Sequence, residues 1–187
     1  MPHLIVVVGV PGAGKSLFAK HFADTFNTPF INCGKIRREL FVKPTFNKSE
    51  DEIVSRIAKQ MLSELLKTGK TVIYEEPSGQ RAKRGALVKQ AIGAGYITVF
   101  VWVQTESLTA QRRATKFSGL TADQFNAALK QFKPLQRSEK AIVISGKHTY
   151  ATQVKIVLKR LTEARATVAN QPLIITRRPG SYRATRR

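Results

Sequence analysis

A chain of 187 residues with 42% hydrophobic content is long enough for one domain with a buried core. No apolar run approaches the roughly 20 residues that span a bilayer, the first residues carry neither a charged leader nor a cleavage site, and a lone cysteine, Cys33, excludes an internal disulfide, so the expected location is the cytoplasm. A formal net charge of +20 attracts polyanions, whether nucleotides, nucleic acid or anionic lipid, without making any of them a specific ligand.

Leu4 to Val8 is a short apolar, β-branched run that predicts a strand buried on both faces. It leads into Gly9-Val10-Pro11-Gly12-Ala13-Gly14-Lys15-Ser16, which fills every fixed position of the phosphate-loop pattern G-x-x-x-x-G-K-[ST]. Leu17, Phe18, Phe22 and Phe26 then recur at helical spacing, predicting a helix from Leu17 to Phe26. Strand, glycine loop and helix together make an anion cradle. Glycines let successive N–H groups turn inward, and the helix adds its positive end. Residues Gly9 to Leu17 are therefore expected to bind a nucleoside triphosphate. Lys15 is placed to reach the β- and γ-phosphates, and the Ser16 hydroxyl to hold Mg²⁺.

Pro29 to Cys33 reads as a second strand and Lys35 to Phe41 as a short helix. After a loop at Pro44 to Ser49, Ser49 is the expected cap of a helix with Glu50, Asp51 and Glu52 in its first turn. An apolar stripe from Ile53 to Leu66 carries that helix to Lys67, and Thr68-Gly69 ends it. Thr71 to Glu75 is a third strand, Glu76 to Gly79 a turn, and Gln80 to Ala94 a helix. Tyr96 to Val103 is the strongest strand signal, with Trp102 expected in the core. Glu106 to Phe117 is a cation-rich helix, and Thr121 to Phe132 another, stopped by Pro134. Ala141 to Ser145 is a fifth strand and Thr149 to about Ala166 the last long helix.

This alternation predicts an α/β fold with a five-stranded parallel sheet and helices on both faces. The expected domain is 1–169. Residues 170–187 read as a mobile basic arm, with Arg177, Arg178, Arg183, Arg186 and Arg187 and no acid; Leu173 to Ile175 could form a brief edge strand.

Ligands of such sheets lie beyond the carboxyl ends of the strands. There the third strand closes on Glu75 and Glu76, where a metal-holding carboxylate is expected, with Glu75 acting on Mg²⁺ through water. Cations that could meet a transferring phosphate are Arg81 and Arg84 after the third strand, and Arg112, Arg113 and Lys116 after the fourth. Arg112 and Lys116 share a helix face. Arg37 and Arg38 follow the second strand and could face an acceptor phosphate. His148 lies in the turn after the fifth strand, where a base would stack.

With GVPGAGKS, FINCGKIRRELF, GKTVIYEEPSGQRAKR, YITVFVWV and LTAQRRATKF in place, residues 4 to 165 resemble a P-loop kinase of the adenylate-kinase-like group. The nearest resemblance is to the kinase domain of bacteriophage polynucleotide kinase and the small bacterial AAA-type ATP-binding proteins grouped with it. It implies a three-layer P-loop NTPase fold with a short helical lid, ATP and Mg²⁺ as ligands, and transfer of the γ-phosphate to a hydroxyl of a small molecule or polynucleotide end. In that group an Asp general base follows the second strand, with an Arg three residues on; here Gly34 stands at the Asp position and Arg37 matches the Arg. Glu75, Ser78 and Arg84 stand for the third strand's Asp, Asn and Arg, and Arg112 and Lys116 for the two lid cations. The resemblance thus makes Lys15, Arg37, Arg84, Arg112 and Lys116 catalytic candidates and Ser16 and Glu75 metal candidates. A nucleotide-binding module with little chemistry, an ATPase, and a basic nucleic-acid-associated protein are the alternatives. The absence of an Asn-Lys-x-Asp motif favours ATP over GTP.

Overall fold

The computed structural model describes residues 1–76 and 79–169, the side chains of 164–169 excepted. Its centre is β1 (His3–Val8), in which every residue is buried. A six-residue apolar run can be buried throughout only if strands flank both edges and helices cover both faces. Four more strands supply the edges: β2 (Phe30–Asn32), β3 (Val72–Glu75), β4 (Ile97–Gln104) and β5 (Ile142–Ser145). They form one parallel sheet in the order β2-β3-β1-β4-β5.

Side chains alternate between the two faces. Leu4, Val6 and Val8 pack with Val54, Ala58 and Leu62 of α3 (Lys48–Leu66) and with Leu87 and Ala91 of α4 (Arg81–Gly93). Ile5 and Val7 pack with Phe18, Ala19 and Phe22 of α1 (Lys15–Phe26) and Val157 of α7 (Tyr150–Ala169). The remaining helices stand at the carboxyl end of the sheet. They are α2 (Cys33–Leu40) after β2, and the pair α5 (Ser107–Ser118) and α6 (Ala122–Gln131) between β4 and β5. Ala110 and Ala114 of α5 bury against Phe125 of α6 and Val10, giving the short helical lid.

Register lines up the functional edge. Val7 lies opposite Glu75 on β3 and Val101 on β4, and Asn32 lies opposite Glu75. The exits of β1, β2 and β3 therefore sit side by side.

Three local expectations are corrected. Asn47, not Ser49, caps α3, its side chain accepting from the Glu50 N–H; Ser49 is already helical. Trp102 is half-buried, packed against Phe132 at 6.1 Å, because β4 shows that face to the edge of the lid. A 3₁₀ turn, Arg137–Glu139, stands where no element was expected. The Leu173–Ile175 segment and the arginine-rich arm lie outside the described residues.

That turn has a structural partner. The Arg84 side chain is 1% exposed and pairs with Glu139 at 2.7 Å. It also donates to the carbonyls of Gly79 and Lys133, so four of its five N–H groups are engaged. The pair ties α4 to the segment entering β5. Breaking a buried pair strands its partner, so Arg84→Ala is expected to cost about 3–5 kcal/mol in urea denaturation. Arg84→Met, which keeps the packing volume, should cost less.

Candidate functional site

The loop between β1 and α1 is shaped by close backbone approaches. Gly12 has a φ of 74°, and a Cβ there would lie 2.0 Å from the Ala110 carbonyl oxygen of α5. A Cβ on Gly9 would lie 2.5 Å from the Val103 carbonyl of β4. From a third side comes Gly146, just after β5; a Cβ on it would meet the Ala13 carbonyl at 1.9 Å. The Thr105 hydroxyl donates to the same Ala13 oxygen at 2.9 Å, and Arg113 Nη1 donates to the Gly146 carbonyl at 3.0 Å. The loop closes on itself through the Ala13 N–H and the Val10 carbonyl. Held on three sides, its amides precede α1, whose first turn has no acidic residue to satisfy them.

Lys15 opens α1 and is buried, with Nζ donating to the Val10 carbonyl at 3.0 Å. Burial pushes its ammonium below the usual lysine range, while the charges of Glu75 and Glu76 pull it back up. The Ser16 hydroxyl donates to Glu75 Oε1 at 2.9 Å, and Glu75 Oε2 is buried with no hydrogen-bond partner. A hydroxyl and a carboxylate with an idle buried oxygen, beside a phosphate cradle, are hard oxygen donors that fit Mg²⁺.

These groups line one end of a cleft of about 1310 Å³, which also holds Gly12, Gly14, His148 and Arg113. Its other end is lined by Asn32, Gly34, Arg38, Phe46, Asp51 and Lys83. Arg37 lines the cleft, but its guanidinium is committed, pairing with Glu50 at 2.7 Å and with Asp51. It also lies over the Phe46 ring at 5.0 Å. Glu50 in turn accepts from the Thr45 and Phe46 N–H groups and the Thr45 hydroxyl. Burial pushes the Glu50 carboxyl up, but these bonds and the one from Arg37 together outweigh it and hold it at about 2. Arg37 thereby fixes the loop between α2 and α3 that walls the cleft.

Of the expected cations, Arg84 is absent from the cleft lining, its donors spent on Glu139 and two carbonyls. Arg112 and Lys116 are exposed and also absent from it; the cleft receives Arg113 and Phe117 of α5. Helix geometry is the reason. Ala110 and Ala114 face the loop, which turns 113 and 117 toward the cleft and 112 and 116 away. The small residues of α5 could have given its rotation. Lys83 and Gly146 also line the cleft; Lys83 has no motif to mark it, whereas Gly146 carries the signal of a glycine at a strand's carboxyl end.

Taken together, a five-stranded parallel sheet in this order, a glycine cradle after β1 and a helical lid define a P-loop protein of kinase-like fold. The sequence model described as AAA domain matches residues 4–142, and the chain belongs to that family. Solved structures agree on the fold. A gluconokinase from Sinorhizobium meliloti 1021 is similar at a TM-score of 0.68 and 20% identity, over 91% of this chain and 98% of that one. A sugar kinase from Janibacter sp. HTCC2649 has a TM-score of 0.66 and 18% identity, over 89% and 97% of the two chains. A chain of a Pnkp1/Rnl/Hen1 complex has a TM-score of 0.54 and 21% identity over 72% of this chain and 45% of that one. No curated protein matches. Among the described residues no helix is long and apolar enough to cross a membrane.

The Glu50 network carries a pH signature. Its folded pKa is below the ordinary 4.5, so its stabilisation is complete above that value and is lost as pH falls toward about 2. Acid titration of Glu50→Gln, followed by circular dichroism, should show a shallower loss of stability across that window than the parent chain. An unchanged profile would mean that Glu50 titrates normally.

Proposed function

We propose that this chain is an ATP-dependent phosphotransferase with its catalytic unit in residues 1–169 and a separate basic segment at 170–187. The observation that carries the reading is the buried Lys15 between the glycine loop and the Ser16–Glu75 pair, whose second carboxylate oxygen is buried without a hydrogen-bond partner. In this reading the loop amides and Lys15 take the β- and γ-phosphates of ATP. Ser16 and Glu75 would hold Mg²⁺, which would supply positive charge to offset that of the phosphates. Arg113, anchored on Gly146, presents its remaining N–H groups from the lid side of the cleft. Arg37 acts on the acceptor end by fixing the wall that receives it. Arg112 and Lys116 could join the phosphates only if α5 moved, since their face is turned to solvent.

The kinase-like fold supports a phosphoryl acceptor in the second end of the cleft, in preference to plain ATP hydrolysis. That end sets Phe41, Val42, Phe46 and Val54 beside its polar groups and belongs to the same cleft as the phosphate cradle.

Calorimetry with Mg-ATP tests the reading. Lys15→Ala removes a charge-assisted contact to the triphosphate, so affinity should fall by about 100-fold and phosphoryl transfer should cease. Turnover unchanged in that variant would remove the assignment. Weak binding that ignores Lys15 and collapses with added salt would favour a basic polyanion-binding protein, consistent with the net charge of +20.

A further inference from the structure

A third region of the cleft lies apart from the phosphate cradle and the acceptor end. The sheet order sets the loop after β1 between β3, which carries Glu75, and the pair β4 and β5. A triphosphate whose terminal phosphates meet Lys15, Ser16 and Glu75 has its nucleoside at the opposite end, away from β3. That side is the exit of β5 and the start of α7, where Gly146, His148, Thr149, Tyr150 and Gln153 line the cleft.

His148 and Thr149 are exposed there, whereas Gln153 is buried, at 6% exposure. Gln153 ends the first turn of α7, its backbone N–H donating to the Thr149 carbonyl at 3.1 Å. Its side-chain Nε2 donates to the Ser145 carbonyl at 2.8 Å. That bond fixes which way the amide faces. Turned over, the side chain would set its oxygen against the Ser145 oxygen, two acceptors in contact. The amide oxygen is left on the other side, and it accepts from no group among the described residues. Nor is it sealed in the interior; among the described residues, the buried side-chain oxygens without a partner are Glu75 Oε2 and Thr98 Oγ1. Gln153 thus holds a fixed acceptor open to the cleft.

Two apolar side chains give the shape of what would meet it. Leu17, the residue after the cradle serine, lines the cleft and is 66% exposed. On the lid, Phe117 lines it at 73% exposure, one turn beyond Arg113, which is bonded to the Gly146 carbonyl. Apolar groups left open in a polar cleft suit the faces of a flat ring.

Purine bases differ at the edge that such an acceptor reads. Adenine carries an exocyclic amino donor where guanine carries a carbonyl acceptor. A locked acceptor bonds the first. Against the second it faces another acceptor, and both go unpaired.

Resting on the phosphotransferase reading, we infer that Gln153 determines base specificity, its side-chain oxygen accepting from the exocyclic amino group of adenine and rejecting a base with an oxo group there. The Ser145 carbonyl positions the amide, and Leu17 and Phe117 flank the ring. The choice of ATP over GTP then lies in one oriented side chain, and not in the absence of a guanine-reading motif.

The test is calorimetry on the full chain with the Mg²⁺ complexes of ATP, GTP and purine riboside triphosphate, which is ATP without the amino group. The parent chain should bind ATP about 10- to 100-fold more tightly than GTP and about tenfold more tightly than the riboside analogue. Gln153→Met keeps the side chain's length and removes the acceptor, while the Ser145 carbonyl retains the His148 N–H at 3.2 Å. That variant should bind ATP and the riboside analogue alike, within about twofold. A side chain with only a packing role would weaken all the ligands together and leave their ratios as in the parent, which overturns the inference. A parent chain that binds all of them within about twofold also overturns it, whether or not the variant folds. Either result spares the phosphate cradle. No association of any of them with the parent chain removes the nucleotide reading as well.

Discussion

Three main-chain approaches too close for any side chain hold this molecule's working end together. Gly9 meets the Val103 carbonyl, Gly12 the Ala110 carbonyl, and Gly146 the Ala13 carbonyl. Each joins the loop after β1 to a different neighbour: the central sheet, the lid helix and the exit of β5. A methyl group at any of the three would force the backbones apart. The loop is thus a wedge on which β4, α5 and the start of the last βα unit converge. Ala110 and Ala114 follow from the same constraint, since larger side chains would lift α5 away.

The wedge sets the electrostatics as well. Packing the loop from three sides buries Lys15 and leaves its ammonium with a backbone carbonyl and the field of two glutamates. It also buries the idle oxygen of Glu75. Both are costs in an isolated protein. A triphosphate and a divalent cation would relieve both together, which is why the two features support one ligand and not two separate sites. At the far end of the cleft the constraint is different. There a buried network, Arg37 with Glu50 and Asp51, braces the wall.

Much of this could be read from residue order. The phosphate loop is a local pattern, and β1 announces its double burial by having no polar residue between Leu4 and Val8. The alternation of elements fixes a parallel sheet because crossovers leave few other topologies. What stayed hidden depends on distant partners or on rotation. Arg84 reads as a cation for a transferring phosphate until Glu139, 55 residues later, is seen beside it. Arg112 and Lys116 have the right spacing on the wrong face, since the direction of α5 is set by contacts of Ala110 and Ala114 that only the packed lid reveals. The cap of α3 moved by two residues because Asn47 competes with Ser49 for the same role, and Asn is at least as good at it.

If the amides opening α1 grip a triphosphate, those amides are the first to feel it bind. Amide nitrogen–proton NMR of the labelled protein, titrated with Mg-ATP, addresses those amides individually. Saturable shifts are expected on Gly12 to Leu17, with smaller ones at Gly146 and Glu75. Saturation accompanied by shifts only on the basic outer surface, with Gly12 to Leu17 unmoved, would contradict that grip.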